Sequence, residues 1–400
     1  MAQLKYRYII VGGGVAGASA VTGIRAHDAK GSILLIASEK HLPYNRPPLS
    51  KKLWFGQQVE KIVVHGADFY EQQRVDLMLG SRVVGLDAGQ KTVTDNSGTD
   101  YAFEKLLLAT GGIPRHLSIP GGDLDGVLYY RTLDDYLRLR EGTKWGKTAV
   151  VIGGGFIGAE MAAALTVNSV QVTMIFPGPY LVHRVFPDYL GKAIQSQYVQ
   201  RGITVINGDA PAAFSRDGAK YITRTTNGAR VESDLLVAGV GIVPAVELAE
   251  AAGLAVDNGI VVDRYLRSSH PDIYAAGDNA RFPYQALGQQ MRIEHWDNAL
   301  SQGEWAGKNM AGAEKPFSYM PYFYSDLFEF GYEAVGDLDS RYDICADWQK
   351  ENNTGVIYYL RDGLVRGVML CNTWGKLDAA RALIRRAEPI APGDLVGAIR

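Results

Sequence analysis

The stretch Tyr8-Ile-Ile-Val-Gly12-Gly-Gly14-Val-Ala-Gly17 decides the fold of the first part of the chain. The apolar, β-branched run before Gly12 predicts a buried strand, and the small residues after Gly17 predict a helix. In the spacing Gly12-x-Gly14-x-x-Gly17, the glycines allow a tight turn, a close approach of the backbone to a pyrophosphate, and close packing of the helix. The stretch therefore predicts a dinucleotide-binding strand–loop–helix unit.

The residues that follow strengthen this interpretation. A second apolar strand is expected over 32–37, and Glu39 comes just after it, 22 residues beyond Gly17. A carboxylate at this place in the unit accepts hydrogen bonds from a ribose hydroxyl. A lone glycine motif would be a weak signal, but the motif with both strands and the acid in register is a strong one.

The same pattern occurs a second time, as Gly153-x-Gly155-x-x-Gly158 after the strand over 148–152. This copy departs from the fingerprint, because Pro177 and Gly178 follow its second strand and no carboxylate stands there. His183 and Arg184 could instead face a 2′-phosphate, but Arg184 could equally be a surface residue. The choice between NADH and NADPH therefore stays open, with NADH favoured. Two dinucleotide sites in one chain suit a flavin reductase, in which a nicotinamide delivers hydride to a flavin.

Composition excludes several classes of protein. The chain has 400 residues, a formal net charge of −2 and 47% hydrophobic residues, which predicts a soluble protein of several domains and no nucleic-acid partner. Its two cysteines exclude a disulfide framework and a thiolate zinc cluster, and no metal is expected. The apolar run over 8–24 resembles a signal peptide, but its glycines disrupt a helical core. We expect no membrane span and a cytoplasmic protein.

Several longer segments resemble a known family. They are Leu42–Lys51, Gly153–Glu160, Arg292–Asp297, Tyr324–Leu327, Gly331–Glu333 and Gly355–Asp362. In these segments the chain resembles the two-dinucleotide FAD/NAD(P) flavoprotein reductases, and is most similar to oxygenase-coupled ferredoxin reductases and apoptosis-inducing factor. The mitochondrial targeting segment and long C-terminal insertion of the latter are not expected here.

The resemblance implies an α/β fold with two Rossmann-like dinucleotide-binding domains in a glutathione-reductase-like arrangement, plus a C-terminal α/β domain. The expected FAD-binding domain is discontinuous, over 1–121 and 244–321. The NAD(P)-binding domain is expected over 122–243 and the C-terminal domain over 322–400.

The resemblance also implies a catalytic set of Lys51, Glu160 and His295. Lys51 would lie beside flavin N5, paired with Glu160, and would stabilise negative charge on the reduced flavin. His295 would flank the flavin and the nicotinamide, with positioning as its task. The further expected cofactor-binding residues are Arg46, Val83, Thr110, Gly111, Arg131, Phe156, Ile157, Gly241, Gly277, Asp278, Glu294, Trp296, Tyr324, Glu333 and Asn372.

Two of these positions depart from the family. Trp296 stands where apoptosis-inducing factor has histidine, and Tyr324 stands where relatives carry tryptophan. At these two positions the resemblance therefore implies a cofactor contact by a different type of side chain.

The expected function is that of an FAD-dependent NAD(P)H oxidoreductase, with hydride passing to flavin N5 and single electrons then leaving to a small acidic ferredoxin-type iron–sulfur protein. Cys345 and Cys371 lie outside the flavin motifs, which argues against a dithiol relay. The alternatives are a slow NADH-sensing flavoprotein like apoptosis-inducing factor, with redox-linked oligomerisation, or a quinone or oxygen reductase. The basic run over 381–386 is either a solvated helix face or a docking patch. A homodimer is left open.

Overall fold

The computed structural model describes residues 4–143 and 146–399, and the contacts within it divide the chain into two compact units. Unit 1 comprises Met1–Asn45, Gln58–Ile113 and Val243–Pro321. Unit 2 comprises Arg46–Gln57, Pro114–Ile242 and Tyr322–Arg400. Arg46–Gln57 thus belongs to unit 2, although the segments before and after it belong to unit 1. The three domain boundaries expected from the sequence stay a prediction.

The elements up to residue 143 begin with the strand of the first glycine loop. In chain order they are β1 Leu4–Val11, α1 Val15–Arg25, β2 Ile33–Ala37, α2 Ala67–Gln72, β3 Val75–Leu79, β4 Val83–Asp87, β5 Thr92–Asp95, β6 Asp100–Leu108, β7 Gly112–Pro114, β8 Val127–Tyr129 and α3 Leu133–Gly142. Three short 3-10 helices lie at Pro47–Ser50, Lys52–Phe55 and Val59–Ile62.

The elements after residue 146 begin with the strand of the second glycine loop. Up to residue 321 they are β9 Thr148–Ile152, α4 Phe156–Val167, β10 Gln171–Phe176, α5 Asp188–Gln200, β11 Thr204–Asn207, β12 Pro211–Asp217, β13 Lys220–Thr225, β14 Arg230–Ser233, β15 Leu235–Ala238, β16 Ile242–Pro244, α6 Glu247–Ala251, β17 Ile260–Val261, β18 Ile273–Ala275, β19 Ala280–Tyr284, β20 Gln289–Arg292 and α7 Trp296–Met310. The last ones are β21 Tyr322–Leu327, β22 Phe330–Gly336, β23 Asp343–Lys350, β24 Thr354–Arg361, β25 Leu364–Cys371, α8 Leu377–Arg385 and α9 Pro392–Leu395.

Unit 1 is built on a sheet whose order is β3-β2-β1-β6-β5-β4, with β18 also pairing with β6. Strands β3, β2, β1, β6 and β18 pair in parallel, whereas β5 and β4 continue antiparallel. In the register, Ile9 stands beside Leu34 on one side and Leu106 on the other, and all three are fully buried. Continuous apolar burial of this kind is typical of parallel strands covered on both faces.

Helix α1 packs closely against α7 in unit 1. A Cβ added at Gly303 of α7 would lie 2.2 Å from the carbonyl oxygen of Ala16 in α1, so a larger residue cannot stand there. The absence of side chains at this contact lets the two backbones approach. This packing holds α1, which begins at the end of the first glycine loop.

Unit 2 has its own parallel sheet, in the order β11-β10-β9-β15-β8. A small antiparallel sheet, β12-β13-β14, lies in the same unit. The strands within residues 322–371 form a five-stranded antiparallel sheet, β21-β22-β25-β24-β23, and α8 packs on β22 and β25. The two parallel sheets, each with a glycine loop and helix, and the sheet-plus-helix C-terminal part agree with the predicted fold class.

The sequence predicts no membrane span. Among the helices within residues 4–143 and 146–399, none has the length and apolar character needed to cross a bilayer.

Candidate functional site

The first glycine loop has the geometry that its sequence predicts. Gly12 has φ +127°, and a Cβ there would lie 2.1 Å from the carbonyl oxygen of Ala109. A Cβ at Gly17 would lie 2.0 Å from the carbonyl oxygen of Gly12. A Cβ at Gly14, by contrast, would meet nothing within 4 Å. Two glycines are therefore required by the protein's own packing, and the third leaves the backbone open to a ligand such as a pyrophosphate.

The second glycine loop repeats this geometry in unit 2. Gly153 has φ +115°, and its Cβ would lie 2.3 Å from the carbonyl oxygen of Gly239. A Cβ at Gly158 would lie 2.0 Å from the carbonyl oxygen of Gly153, and one at Gly155 would meet nothing within 4 Å. Both loops therefore offer the open backbone that a dinucleotide needs at a helix N-terminus.

Glu39 lies two residues beyond the end of β2. The hydroxyl of Tyr44 donates to its Oε2 at 2.6 Å. The carboxylate is thereby held at the place where a ribose hydroxyl is expected in a dinucleotide-binding unit. Val83, one of the further expected cofactor-binding residues, begins β4 and is buried.

Two strand ends of unit 1 carry polar groups. Thr110, just after β6, donates its hydroxyl to the carbonyl of Ala245 at 2.7 Å and accepts from Asn279 Nδ2 at 2.9 Å. Gly277, just after β18, donates its N–H to Gln302 Oε1 at 2.9 Å. Both Gly277 and the predicted Gly111 have positive φ.

Two buried polar atoms beside these strand ends have no hydrogen-bond partner among the described residues. They are Oδ1 of Asn279, which is fully buried, and Nε2 of Gln302. A buried polar atom without a partner is destabilising unless a ligand or water satisfies it. The strand ends of β6 and β18 thus fit the polar ligand that the sequence predicts there.

Arg292 connects two of the predicted residues. Its Nη1 donates to the carbonyl of Asp278 at 2.9 Å and pairs with Glu294 Oε1 at 2.7 Å. The guanidinium therefore fixes the Asp278 turn to the segment that leads into α7. Sequence reasoning quoted Arg292 as part of a motif without giving it this role.

His295 and Trp296 begin α7. Burial lowers the pKa of His295 to about 4, although Asp278 opposes the shift, so the imidazole is neutral at neutral pH. A neutral ring suits the predicted positioning task. Trp296 donates its indole N–H to Asn45 Oδ1 at 2.7 Å, which is a structural contact at the position where the family pattern is broken.

A buried ion pair in unit 2 joins Lys51 and Glu160. Lys51 Nζ lies 2.7 Å from Glu160 Oε1, and the two side chains are only 11% and 4% exposed. Glu160 is on the first turns of α4, directly after the second glycine loop. Lys51 lies between two short 3-10 helices, the first of which begins with Pro47. Two of the three predicted catalytic residues are thus in contact, and the third, His295, lies in unit 1.

Two serines that the sequence analysis missed complete this pair. Ser50 Oγ donates to Glu160 Oε2 at 2.5 Å, and Ser325 Oγ donates to Oε1 at 2.5 Å. Both serines are almost fully buried. The signal was present but weak: each serine lies in a family segment, and Ser325 is a hydroxyl on an inward-facing position of β21. The Glu160 carboxylate therefore has three donors, which we call the Glu160 cluster: Ser50, Lys51 and Ser325.

Aromatic and acidic groups surround the Glu160 cluster. Lys51 Nζ lies 5.3 Å from the ring centroid of Tyr324, a cation–π distance. Burial raises the pKa of Tyr324 to about 12. Burial also raises the pKa of Asp326, and Lys51 opposes that shift. The smaller ring at position 324 therefore still lies beside the predicted catalytic lysine.

The apolar residues of the second glycine loop differ in exposure. The Phe156 ring packs 5.6 Å from the ring of Phe323, centroid to centroid. Ile157 is 40% exposed. Gly241 has φ +93°, and a Cβ there would meet nothing within 4 Å. Open backbone at Gly241 leaves room for the contact predicted there.

Arg46 and Arg131 lie together in unit 2. Arg46 Nη1 donates to the carbonyl of Arg131 at 2.8 Å. The Arg131 N–H donates to Asp135 Oδ2 at 3.0 Å, and Asp135 forms a capping box with Thr132 at the start of α3. The capping box therefore fixes the backbone of Arg131, whose carbonyl accepts the hydrogen bond from Arg46.

Glu333 and Asn372 have different surroundings. Oε2 of Glu333 is buried without a hydrogen-bond partner among the described residues, and burial raises the pKa of this carboxyl while Arg381 opposes the shift. The side-chain amide of Asn372 accepts from the Gly331 N–H at 2.9 Å and donates to the Glu329 carbonyl at 3.1 Å. Glu333 is thus available to a ligand donor, whereas Asn372 fastens the β21–β22 turn.

The three arginines of the basic run over 381–386 differ in exposure. Arg381 is 12% exposed and pairs with Asp378 at 3.1 Å. Arg385 and Arg386 are exposed.

The described residues include both cysteines and show how the potential metal ligands are grouped. Cys345 and Cys371 are free thiols, and burial raises the pKa of both. Across residues 4–143 and 146–399, no three His, Cys, Asp or Glu side chains are grouped so as to hold a metal ion.

Two family models match this chain, each over a different part, and known proteins are similar to it. The family model described as pyridine nucleotide-disulphide oxidoreductase matches residues 6–303, and the one for the C-terminal part of mitochondrion-associated apoptosis-inducing factor matches residues 306–354. Apoptosis-inducing factor 1, mitochondrial, of Dictyostelium discoideum is 32% identical over 96% of this chain and 79% of its own length. The ferredoxin–NAD(+) reductase component of the anthranilate 1,2-dioxygenase system of Burkholderia cepacia is 36% identical over 82% and 81%.

A solved structure is similar over nearly the whole chain. It is that of the covalent putidaredoxin reductase–putidaredoxin complex, with a TM-score of 0.90, 31% identity, and coverage of 98% of this chain and 95% of that one. This match confirms the predicted fold class.

Proposed function

Because the chain belongs to the pyridine nucleotide-disulphide oxidoreductase family, we propose that it is an FAD-dependent NAD(P)H oxidoreductase that reduces a ferredoxin-type iron–sulfur protein. Bound FAD would accept an electron pair from a reduced nicotinamide and release the electrons one at a time. The two open glycine loops and the unpartnered polar atoms of Asn279 and Gln302 fit the two dinucleotides.

The observation that carries the proposal is the buried ion pair of Lys51 and Glu160. A charged lysine held 2.7 Å from a carboxylate, on the helix after the second glycine loop, is fixed in direction before any ligand binds. Such preorganised charge stabilises negative charge that develops nearby. Lys51 is therefore the proposed catalytic residue, and Glu160 with its two serines holds it.

The residues of unit 1 have holding roles in this proposal. Gly12, Gly14 and Gly17 would approach the FAD pyrophosphate, Glu39 would accept from a ribose hydroxyl, and Asp278 would bind the ribitol side. His295, which is neutral because burial lowers its pKa to about 4, positions the ring system without moving a proton.

The proposed acceptor is a small acidic iron–sulfur carrier. The Burkholderia relative is a ferredoxin–NAD(+) reductase component, and the similar solved structure contains putidaredoxin bound to its reductase. Exposed Arg385 and Arg386 are the part of the basic run that could face an acidic carrier. The cytoplasmic location predicted from the sequence belongs to this proposal as well.

The test is anaerobic reduction followed by an acceptor assay. NADH or NADPH should bleach the flavin of the purified holoprotein rapidly. Cytochrome c reduction should then rise steeply when a [2Fe–2S] ferredoxin is added. Lys51→Met should slow bleaching while FAD stays bound, and Lys61→Met, at an exposed lysine of unit 1, serves as its control. Bleaching without stimulation by any ferredoxin would rule out the acceptor.

A second candidate is a slow redox-sensing protein like apoptosis-inducing factor. The family model for the C-terminal part of that factor matches residues 306–354, which favours this candidate. Here the bleached protein would stay reduced for minutes in air and elute at a different volume in size-exclusion chromatography. Fast reoxidation with an unchanged elution volume would count against it.

A further inference from the structure

The turn after β10 differs from the corresponding turn of unit 1. After β2 comes Glu39, whereas Gly178 comes two residues after the end of β10. A Cβ added at Gly178 would lie 2.3 Å from Nδ1 of His183. The imidazole of His183 therefore occupies the space into which a side chain at position 178 would project.

This turn is firmly attached to the second glycine loop. The N–H of Val182 donates to the carbonyl of Gly154 at 2.7 Å, which brings the turn against the loop itself. Val182 has φ +55°, an unfavourable value for a β-branched residue. A conformation of this kind persists only where the surroundings enforce it, and it is enriched at ligand sites.

The C-terminal part of unit 2 supplies the enforcing contacts. Ser340 Oγ donates to the carbonyl of His183 at 2.6 Å, and the Ser340 N–H donates to the carbonyl of Arg184 at 3.0 Å. Tyr359 donates its hydroxyl to the carbonyl of Val185 at 3.0 Å. Three successive carbonyls are thus held, so His183 and Arg184 have fixed backbone positions.

The charge on this turn is positive or neutral. Residues 178–186 contain no carboxylate, and Arg184 is exposed. Burial, with Arg184 next to it, lowers the pKa of His183, so the ring is neutral at neutral pH. Asp209 lies near the end of β10, but its Oδ1 accepts from the Thr226 hydroxyl at 2.6 Å and the Asn227 N–H at 3.1 Å. Its carboxylate is therefore engaged away from the turn.

We propose that His183 and Arg184 determine coenzyme specificity, and that the second site admits NADPH as well as NADH, with Arg184 facing the 2′-phosphate and His183 facing the ribose. A carboxylate at this place would repel a 2′-phosphate, whereas an arginine attracts it. The inference rests on the proposed function only in that the second loop binds a nicotinamide dinucleotide.

Calorimetric binding of 2′,5′-ADP and of ADP to the FAD-loaded protein tests this inference without any turnover. We expect both ligands to bind, and each affinity is compared with that of the variants, because 2′,5′-ADP lacks the 5′-pyrophosphate of ADP. Arg184→Ala should weaken 2′,5′-ADP about tenfold and leave ADP unchanged, because only the former carries the 2′-phosphate. Arg224→Ala, at an exposed arginine of β13 in the same unit, should change neither.

A paired substitution sharpens the test. Gly178→Glu alone would collide with His183, whereas Gly178→Glu with His183→Gly frees that space for a carboxylate. The pair should weaken 2′,5′-ADP at least about tenfold relative to ADP.

Two results would overturn the inference: no binding of 2′,5′-ADP where ADP binds, or equal weakening of both ligands by Arg184→Ala. If neither ligand binds, the second loop holds no nicotinamide dinucleotide, and the inference falls together with the proposed function. If 2′,5′-ADP binds as expected but no ferredoxin is reduced, the specificity assignment holds and only the proposed acceptor fails.

Discussion

The two glycine loops have the same backbone geometry and different side-chain chemistry. In both, the first glycine has a positive φ and lies against a carbonyl of a neighbouring strand end, and the middle glycine is open. The seventh residue after the first glycine is Ser19 in unit 1 and Glu160 in unit 2. The turn after the second strand has Glu39 in unit 1 and Gly178 in unit 2.

This comparison separates what holds a dinucleotide from what uses it. Backbone packing fixes the first and third glycines of each loop, because a Cβ at either position meets a carbonyl oxygen at about 2 Å. The charged groups are free to vary. Unit 1 has a carboxylate anchored by Tyr44 for the ribose, whereas unit 2 has a buried charge pair at the start of its helix. The first arrangement suits a retained cofactor, and the second suits an exchanging partner in a reaction.

The largest expected effect comes from the shared backbone. Gly12→Ala places a Cβ 2.1 Å from a carbonyl oxygen at φ +127°. We therefore expect the free energy of unfolding to fall by more than about 3 kcal/mol and the variant to lose its bound FAD. Gly155→Ala meets no atom within 4 Å, so this variant should fold, keep FAD and lose affinity for the nicotinamide dinucleotide. Thermal melting measures the stability of the two variants, and the ratio of flavin to protein absorbance measures their FAD content. Full FAD content and unchanged melting in Gly12→Ala would contradict the shared-backbone argument.

The second largest effect is expected from the buried charge pair, which only the helix after the second glycine loop has. Lys51→Met leaves the Glu160 carboxylate buried without its cation, which should destabilise the protein by about 3 kcal/mol. Ser19→Ala, at the matching position of unit 1, should lose no more than about 1 kcal/mol. Urea unfolding of the FAD-loaded proteins compares them. Lys51→Met with Glu160→Gln should regain part of the loss, and an equal loss in the single and double variants would contradict the pairing.

His295 in unit 1 is expected to make the stability of the protein depend on pH. The folded pKa of His295 is about 4, below its ordinary value of about 6.5, so the unfolded chain binds the proton more readily. Stability therefore rises with pH between about 4 and 6.5, and falls as the pH is lowered through that window. His295→Gln should flatten the urea midpoint over this range. The same slope in both proteins would show that His295 is not the group responsible.

The smallest effects are expected within the Glu160 cluster. Ser325→Ala and Ser50→Ala each remove one hydrogen bond to the carboxylate and should lose about 1 kcal/mol. Because both serines hold the same group, the double variant should deviate from additivity. A positioning role further predicts a shifted flavin reduction potential, which a purely structural role would not change. Unaltered potentials in both variants would leave Lys51 without these two supports.

How much the sequence could predict depends on how local each feature is. The glycine loops and Glu39 follow from short patterns, because tight turns and strand ends are fixed by neighbouring residues. The Lys51–Glu160 pair came from the family resemblance, since no spacing within the chain reveals it. Ser50 and Ser325 were missed because they reach Glu160 from 110 and 165 residues away.

Two further features needed coordinates. Arg381 belongs to a basic run in the sequence, yet its side chain is mostly buried and paired with Asp378. The relation between Gly178 and His183 is a contact across a turn, so a lone substitution to an acid at position 178 would collide with the imidazole.

The membership of Arg46–Gln57 in unit 2 determines how the protein can be dissected. This segment supplies Trp54, whose indole packs edge-on against Tyr136 with ring centroids 5.4 Å apart, and Lys51, the partner of Glu160. A fragment that begins at Pro114 would leave Tyr136 uncovered and the Glu160 carboxylate buried without its cation. The nucleotide-binding region around the second loop is therefore not a portable module, and any chimera that exchanges it must exchange this twelve-residue segment, distant in the chain, with it.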